Sequence, residues 1–178
     1  EFSTGLSMGQ DADQLAAKFG VTREMQDEFA LNSHQKAAKA WADGKFETEV
    51  VPMPIQPKFD VVEQDDTFYA NSSMEKLGNL RPAFVRPHGT ITAGNASPIT
   101  DGAAVSLLMD IDEAKARNLK PQVVIEGFAF SGSNPQGELL LGPAYTLTKL
   151  LNEAGLKIED IDVFEIHEDF EGQVLANL

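Results

Sequence analysis

The sequence predicts an α/β protein preceded by a helical, loop-rich segment, and three features carry that expectation. Helical periodicity with stop signals at its ends runs through residues 10–43. A proline-rich, acidic stretch breaks regular structure at residues 52–68. Strand and helix patterns then alternate over residues 122–178, and a βαβ order implies a mixed or parallel sheet with right-handed crossover. The first and last thirds share no obvious core, so two pieces are read, roughly 1–88 and 89 onward.

Residues 10–19 read as a helix stopped by Gly20. Thr22 then caps a longer helix that runs to Asp43, with Gly44 as its stop. Phe29, Ser33, Ala37, Ala40 and Trp41 recur at helical spacing and give it one packable face. His34 falls off that stripe among Gln35, Lys36 and Lys39, and is read as a surface residue. Pro52, Pro54 and Pro57, followed by Glu63, Asp65 and Asp66, mark an excursion loop outside the core. A helical turn starts near Ser72 or Ser73, and Gly89–Ala93 reads as a strand entering a Gly-Asn-Ala-Ser-Pro turn. Ala103–Met109 is a short apolar run, strand or helix. Asp112–Asn118 is helical in composition, and Gln122–Phe130 is β-rich. A helix from about Pro143 to Ala154, the strand Asp162–Ile166 and a last helix from about Glu168 complete the pattern.

Composition narrows the function classes. Fourteen basic and twenty-eight acidic residues give a net charge of −14, which disfavours nucleic-acid binding because phosphate contacts need a basic surface. The chain has no cysteine, which excludes disulfides, thiolate–metal sites and cysteine nucleophiles within these residues. From Lys76 to Thr100 there is no Asp or Glu, while Lys76, Arg81 and Arg86 supply positive charge. That window would tolerate an anionic ligand, or is simply a buried Pro- and Gly-rich segment.

Chemistry concentrates at His167-Glu168-Asp169-Phe170-Glu171, where a strand feeds a helix. In open α/β folds that junction is the usual ligand position. Three readings stand. Asp169 and Glu171 complement the helix dipole and His167 is a linker. His167 and Glu171, four apart, start a metal site that lacks a second nearby histidine. Or His167 and Glu168 form a catalytic pair that stabilises an oxyanion. No Gly-x-Gly-x-x-Gly, Walker loop or Gly-x-Ser-x-Gly elbow is present.

Several segments, in order, resemble the thiolase family. They are Met8-Gly9 with Ala12-Asp13-Gln14-Leu15-Ala16, Arg23 to Phe46 (REMQDEFALNSHQKAAKAWADGKF), and Leu80-Arg81-Pro82-Ala83-Phe84. Gly89 to Ala104 (GTITAGNASPITDGAA), Leu141-Gly142-Pro143-Ala144 and His167 to Asn177 (HEDFEGQVLAN) follow. Most thiolases carry Asn-Glu-Ala-Phe where this chain has His167, whereas the trifunctional-enzyme β-subunit type carries His-Glu-Ala-Phe. Asn71-Ser72-Ser73 also resembles that subgroup.

The resemblance implies a partial, layered αβαβα thiolase fold. Residues 1–88 would be a helical loop domain that contacts CoA, 89–118 the end of the N-terminal core domain, and 119–178 the start of the C-terminal one. It implies thiolytic cleavage of a 3-ketoacyl-CoA, with CoA and acyl-CoA as substrates and no cofactor or metal. His167 would hold a water in the oxyanion hole, with Glu168 orienting its surroundings. Ser97 would bond the pantetheine, and Met8, Phe84, Leu139 and Phe170 would line the substrate tunnel. Expected partners are a second copy, an α-subunit with hydratase and dehydrogenase activities, and a membrane surface met peripherally. The compartment implied is mitochondrial in a eukaryote, cytoplasmic in a bacterium, with a peroxisome also compatible.

Two departures bear on this. The nucleophilic cysteine, the Gly-His-Pro histidine and the acid/base cysteine of thiolases have no counterpart here, so the chain is expected to be a fragment from the middle of a family subunit and inactive alone. Asp169, Glu171 and Gly172 stand where the family has alanines, and Asp169 is expected to face the pantetheine. The alternative is a thiolase-derived binding or scaffolding chain without catalysis.

Overall fold

The computed structural model describes residues 3–178. Helix α1, Met8–Lys18, opens on a capping box: the Ser7 hydroxyl accepts from the Gln10 N–H at 3.3 Å, and the Gln10 side chain accepts from the Ser7 N–H at 2.9 Å. Ala12, Leu15 and Ala16 form its buried face. Gly20, at φ +69°, takes the left-handed turn that releases the chain. Helix α2, Arg23–Ala42, is capped by Thr22, whose hydroxyl accepts from the Met25 N–H at 3.2 Å. Gly44, at φ +68°, follows its end. Both helices match the sequence reading to within two residues at each end.

The 52–68 excursion is a hairpin rather than an open loop. Strands β1 (Met53–Ile55) and β2 (Asp60–Val62) pair antiparallel with Met53 opposite Val62, and all six residues are exposed. It lies outside the core, as its prolines and charges imply. Helix α3, Met74–Gly78, is capped by Ser73 and sets Leu77 against α2. Helices α4 (Ile111–Ala116), α5 (Pro135–Glu138, one turn distorted at Gly137), α6 (Gly142–Ala154) and α7 (Glu171–Asn177) complete the described elements, with a 3-10 turn at Leu139–Leu141 and another at Ile158–Asp160. No described helix is long and apolar enough to cross a membrane.

The core joins the ends of the sequence. Leu15, Ala16 and Val21 pack with Leu141 and Ala176, and beside them Ala12, Ile91 and Phe170 form a second cluster. Helix α7 lies against both α1 and α2. The expectation that the first and last thirds share no core is therefore corrected: residue patterns show which face is apolar, not which distant face covers it.

The segments read as strands at 89–93, 122–130 and 162–166 enter no ladder among the described residues, and 103–109 is neither helix nor strand. The sheet of those residues is limited to the β1–β2 hairpin, with an isolated antiparallel bridge between Ala96 and Phe170. A strand can satisfy its N–H and C=O groups only through a neighbour. Val105 (97% exposed), Val123 (82%) and Phe130 (79%) stand in solvent with the β-rich character that suggested strands. A neighbouring strand for these segments is not among the described residues.

Candidate active site

The site is held by a buried polar network that fixes residues 89–97 to the helices. Asp13 on α1 accepts from the N–H groups of Thr90 (2.6 Å) and Ile91 (3.0 Å) through Oδ1. Asn95, fully buried, donates from Nδ2 to Asp27 Oδ1 (2.8 Å) and to the Thr90 carbonyl (3.1 Å), and its own Oδ1 accepts from the Thr92 N–H (2.7 Å). Arg23 neutralises Asp27 at 2.7 Å. Most of the buried polar atoms of this network thus have a partner of opposite character, Asp13 Oδ2 being an exception, which lets a polar segment lie inside.

This segment in turn clamps the motif after the 162–166 strand. The Glu171 N–H donates to the Asn95 carbonyl (3.2 Å), and the Ser97 N–H donates to the Asp169 carbonyl (2.9 Å). Residues 168–171 are thereby laid against 95–98. Between them and α2 is a cavity of about 200 Å³ whose walls include Ser33, His34, Ser97, Glu168 and Glu171.

The wall chemistry is specific. Ser33 Oγ donates to Glu168 Oε2 at 2.6 Å. His34 Nδ1 accepts from the Tyr69 N–H at 3.3 Å, which puts the proton of a neutral ring on Nε2. Burial holds the His34 imidazole below its ordinary value, against the pull of Glu168, which acts to raise it. Glu171 is buried, and its Oε2 has no hydrogen-bond partner. Burial, with the neighbouring Glu168 charge adding to it, pushes its carboxyl up to about 8. His167 stands outside the cavity wall, its side chain 80% exposed, with Nε2 2.8 Å from Asp169 Oδ1.

Of the residues singled out from sequence, Ser97, Glu168, Asp169 and Phe170 are brought into one cluster. Phe84 joins it, its ring edge-on to Phe170 at 5.8 Å between centroids. Gly9 has no Cβ where Phe84 sits: an added methyl would fall 2.4 Å from the ring. Met8, next to Gly9, begins α1 and is partly exposed. Leu139 is half-buried in its 3-10 turn and does not line the cavity.

The place of His34 on the cavity wall and the burial of Glu171 escaped the sequence reading. His34 is half-buried on the wall, not a surface residue, because α2 turns the edge of its packable stripe, next to Ser33, towards the 168–171 turn. Glu171 is more buried than Asp169, whose side chain keeps 37% exposure and engages His167. The closeness of His34 to Ser33 on the stripe was the available signal. Nothing local marks Glu171, whose burial comes from α1 and α2 closing over α7. The cations of the acid-free window are partly spent on the chain itself: Lys76 donates to the Asn71 carbonyl and Arg86 to the Pro82 carbonyl. No group of three or more His, Cys, Asp or Glu residues placed to hold a metal occurs among the described residues.

A helical frame packed by α1, α2 and α7, with a cavity beside the turn that precedes α7, is the class of site the structure defines, and the comparisons give it a name. Residues 1–112 match the family model "Thiolase, N-terminal domain" and residues 119–178 match "Thiolase, C-terminal domain". The chain belongs to the thiolase family. It is 50% identical over its whole length to a probable 3-ketoacyl-CoA thiolase of Caenorhabditis elegans, covering 40% of that protein. It is 47% identical, again over all of its residues, to the mitochondrial trifunctional enzyme subunit beta of Bos taurus, covering 37% of it. The crystal structure of the Bacillus anthracis acetyl-CoA acetyltransferase superposes with a TM-score of 0.92 at 40% identity, over 97% of this chain and 44% of that one. The chain thus spans about two fifths of the length of the curated relatives it matches.

Proposed function

We propose that the polypeptide carrying these residues is a 3-ketoacyl-CoA thiolase of fatty-acid β-oxidation, an acyltransferase. The observation that carries this reading is the clamped turn Glu168–Glu171, held beside Ser97 and opening on the cavity. In that reaction a cysteine thiolate adds to the C3 carbonyl of the substrate. The C2–C3 bond breaks, and its electron pair takes up a proton as acetyl-CoA leaves. The thiol of CoA then displaces the enzyme sulfur from the acyl thioester. This chain has no cysteine, so the nucleophile comes from residues outside the 178.

The part assigned to this chain is binding and charge stabilisation. His167 offers a ring N–H, through a water, to the oxygen that becomes negative as the thiolate adds. Asp169 holds Nε2, so Nδ1 is a donor only in the doubly protonated ring. Glu168, fixed by Ser33, keeps the turn in place. Ser97 hydrogen-bonds the pantetheine arm, Met8, Phe84 and Phe170 line its tunnel, and Leu139 is a further substrate-binding residue. No cofactor or metal enters the scheme.

A second copy is the expected partner, and the likeness to trifunctional β-subunits supports an α-subunit and a peripheral membrane contact as further ones. Its relatives suggest a mitochondrial location in a eukaryote and a cytoplasmic one in a bacterium. The test is an assay of the full-length protein for CoA-dependent conversion of 3-ketoacyl-CoA into acetyl-CoA and the shortened acyl-CoA. Turnover supports the thiolase reading. CoA binding without turnover, with every thiolase cysteine present, would favour the non-catalytic alternative.

A further inference from the structure

We propose that Asp169 is the positioning residue of His167: its carboxylate takes the Nε2 proton of the ring and so sets which nitrogen meets the water at the developing oxyanion. His167 has that role from the thiolase reading above, on which this rests. What is added is a residue that the family pattern does not carry, since alanine is the expected occupant where Asp169 stands.

The backbone of Asp169 is pinned on both sides. Its carbonyl accepts from the Ser97 N–H at 2.9 Å, and Glu171 donates its N–H to the Asn95 carbonyl at 3.2 Å. Phe170, between them, is buried and packs with Ala12 and Ile91. The Asp169 carboxylate therefore leaves from a fixed point, with only χ1 and χ2 free to turn.

The ring it meets is otherwise loosely held. The His167 side chain is 80% exposed, and Asp169 Oδ1, 2.8 Å from Nε2, is its hydrogen-bond partner among the described residues. Glu168, the neighbouring carboxylate in sequence, turns instead to Ser33, whose Oγ donates to Oε2 at 2.6 Å. A carboxylate accepts and does not donate, so the contact keeps a proton on Nε2 and leaves Nδ1 to face the water. An exposed side chain without such a partner samples several rotamers. A polar group that must be reoriented during the reaction stabilises developing charge less than one already in place.

Asp169 was expected to face the pantetheine. Its Oδ1 is directed to His167, so the side chain acts on the reaction through the ring. The two roles have different kinetic signatures. Losing a contact to CoA moves KM, whereas losing a positioning residue lowers kcat, because the oxygen it serves is charged only in the transition state.

The experiment is steady-state thiolysis of 3-ketooctanoyl-CoA by the full-length enzyme, with CoA varied, for wild type, Asp169→Ala, His167→Ala and the double variant. Asp169→Ala should lower kcat by about 5–10-fold, with KM for CoA within about twofold of wild type. In the His167→Ala background the same substitution should change kcat by less than about twofold, because no ring is left to position. Alanine is the family's residue here and the Asp169 side chain is 37% exposed, so the variant should fold, with a thermal midpoint equal to that of wild type. An equal loss of kcat in the wild-type and His167→Ala backgrounds would show that Asp169 acts independently of the ring, and would overturn the inference. A changed KM at constant kcat, or no change in either, would overturn it as well. In each of these cases wild type still turns over, and the thiolase reading stands. Absence of thiolysis by wild type would overturn that reading, and the role of Asp169 with it.

Discussion

Residues 89–97 and 122–130 both carry β-branched residues, and the sequence suggests a strand within each. Their fates are opposite. In the first, Ile91, Thr92 and Asn95 are fully buried. In the second, Val123, Val124, Ile125, Phe128 and Phe130 are all exposed. The difference is where the backbone finds its partners. Around 89–97, side chains of α1 and α2 reach in: Asp13 takes two N–H groups, and Asn95 bridges Asp27 to the Thr90 carbonyl. For 122–130 such help among the described residues is confined to the segment's end, where Lys149 Nζ donates to the Phe130 carbonyl at 3.2 Å. A lone extended segment can be buried when side chains take the place of a neighbouring strand, and is left open when it must wait for one.

That contrast is most easily broken at its buried end. Asn95→Ala removes the acceptor for Thr92 N–H and the donor to Asp27 and to the Thr90 carbonyl, leaving buried groups without partners. A loss of about 3 kcal/mol in unfolding free energy is expected, measured by urea titration. A loss below about 1 kcal/mol would mean that the network does not hold this segment.

The next effect depends on pH. The ordinary Glu171 carboxyl value is 4.5 and the folded one is about 8, so between these the folded chain holds the extra proton. The stability associated with that proton is full below about pH 4.5 and is lost as pH rises through about 8. Glu171→Ala should therefore raise the unfolding free energy above pH 8, by an amount on the order of 2 kcal/mol read by urea titration, with a much smaller gain near pH 4.5. An equal change at both ends of the range would show that Glu171 acts through packing alone.

The smallest effect lies at the open end. Val123→Thr exchanges a side chain that is 82% exposed and should shift the stability of the 178-residue chain by no more than about 0.5 kcal/mol. Amide exchange should agree, fast at 122–130 and slow at Ile91. Protected amides at 122–130 would break the comparison, since the segment would then have a partner.

The same physics sets what was legible. Helices supply their own hydrogen bonds, and their ends are marked by local residues: Ser7, Thr22 and Ser73 as caps, and Gly20, Gly44 and Gly155 as stops. Their ranges could be read almost residue by residue. The segments read as strands were legible as β-rich, but not as unpaired, because pairing is settled by tertiary contacts that no local pattern contains. At the site, the run from His167 to Glu171 could be singled out at its junction, and Ser97 only through the resemblance to thiolases. Their contact, the burial of Glu171 and the turning of His34 into the cavity arise where α1, α2 and α7 meet, and no local pattern encodes that meeting.

The most direct test of the central claim, that the 167–171 turn faces the reacting thioester, is kcat of His167→Ala in the full-length enzyme. His167 is largely exposed, so the account predicts an unchanged thermal midpoint. It predicts a fall in kcat of about 10²–10³-fold, the range for loss of one oxyanion donor. A kcat within about twofold of wild type would contradict it, because a donor to the developing charge cannot be removed at so small an effect on the rate.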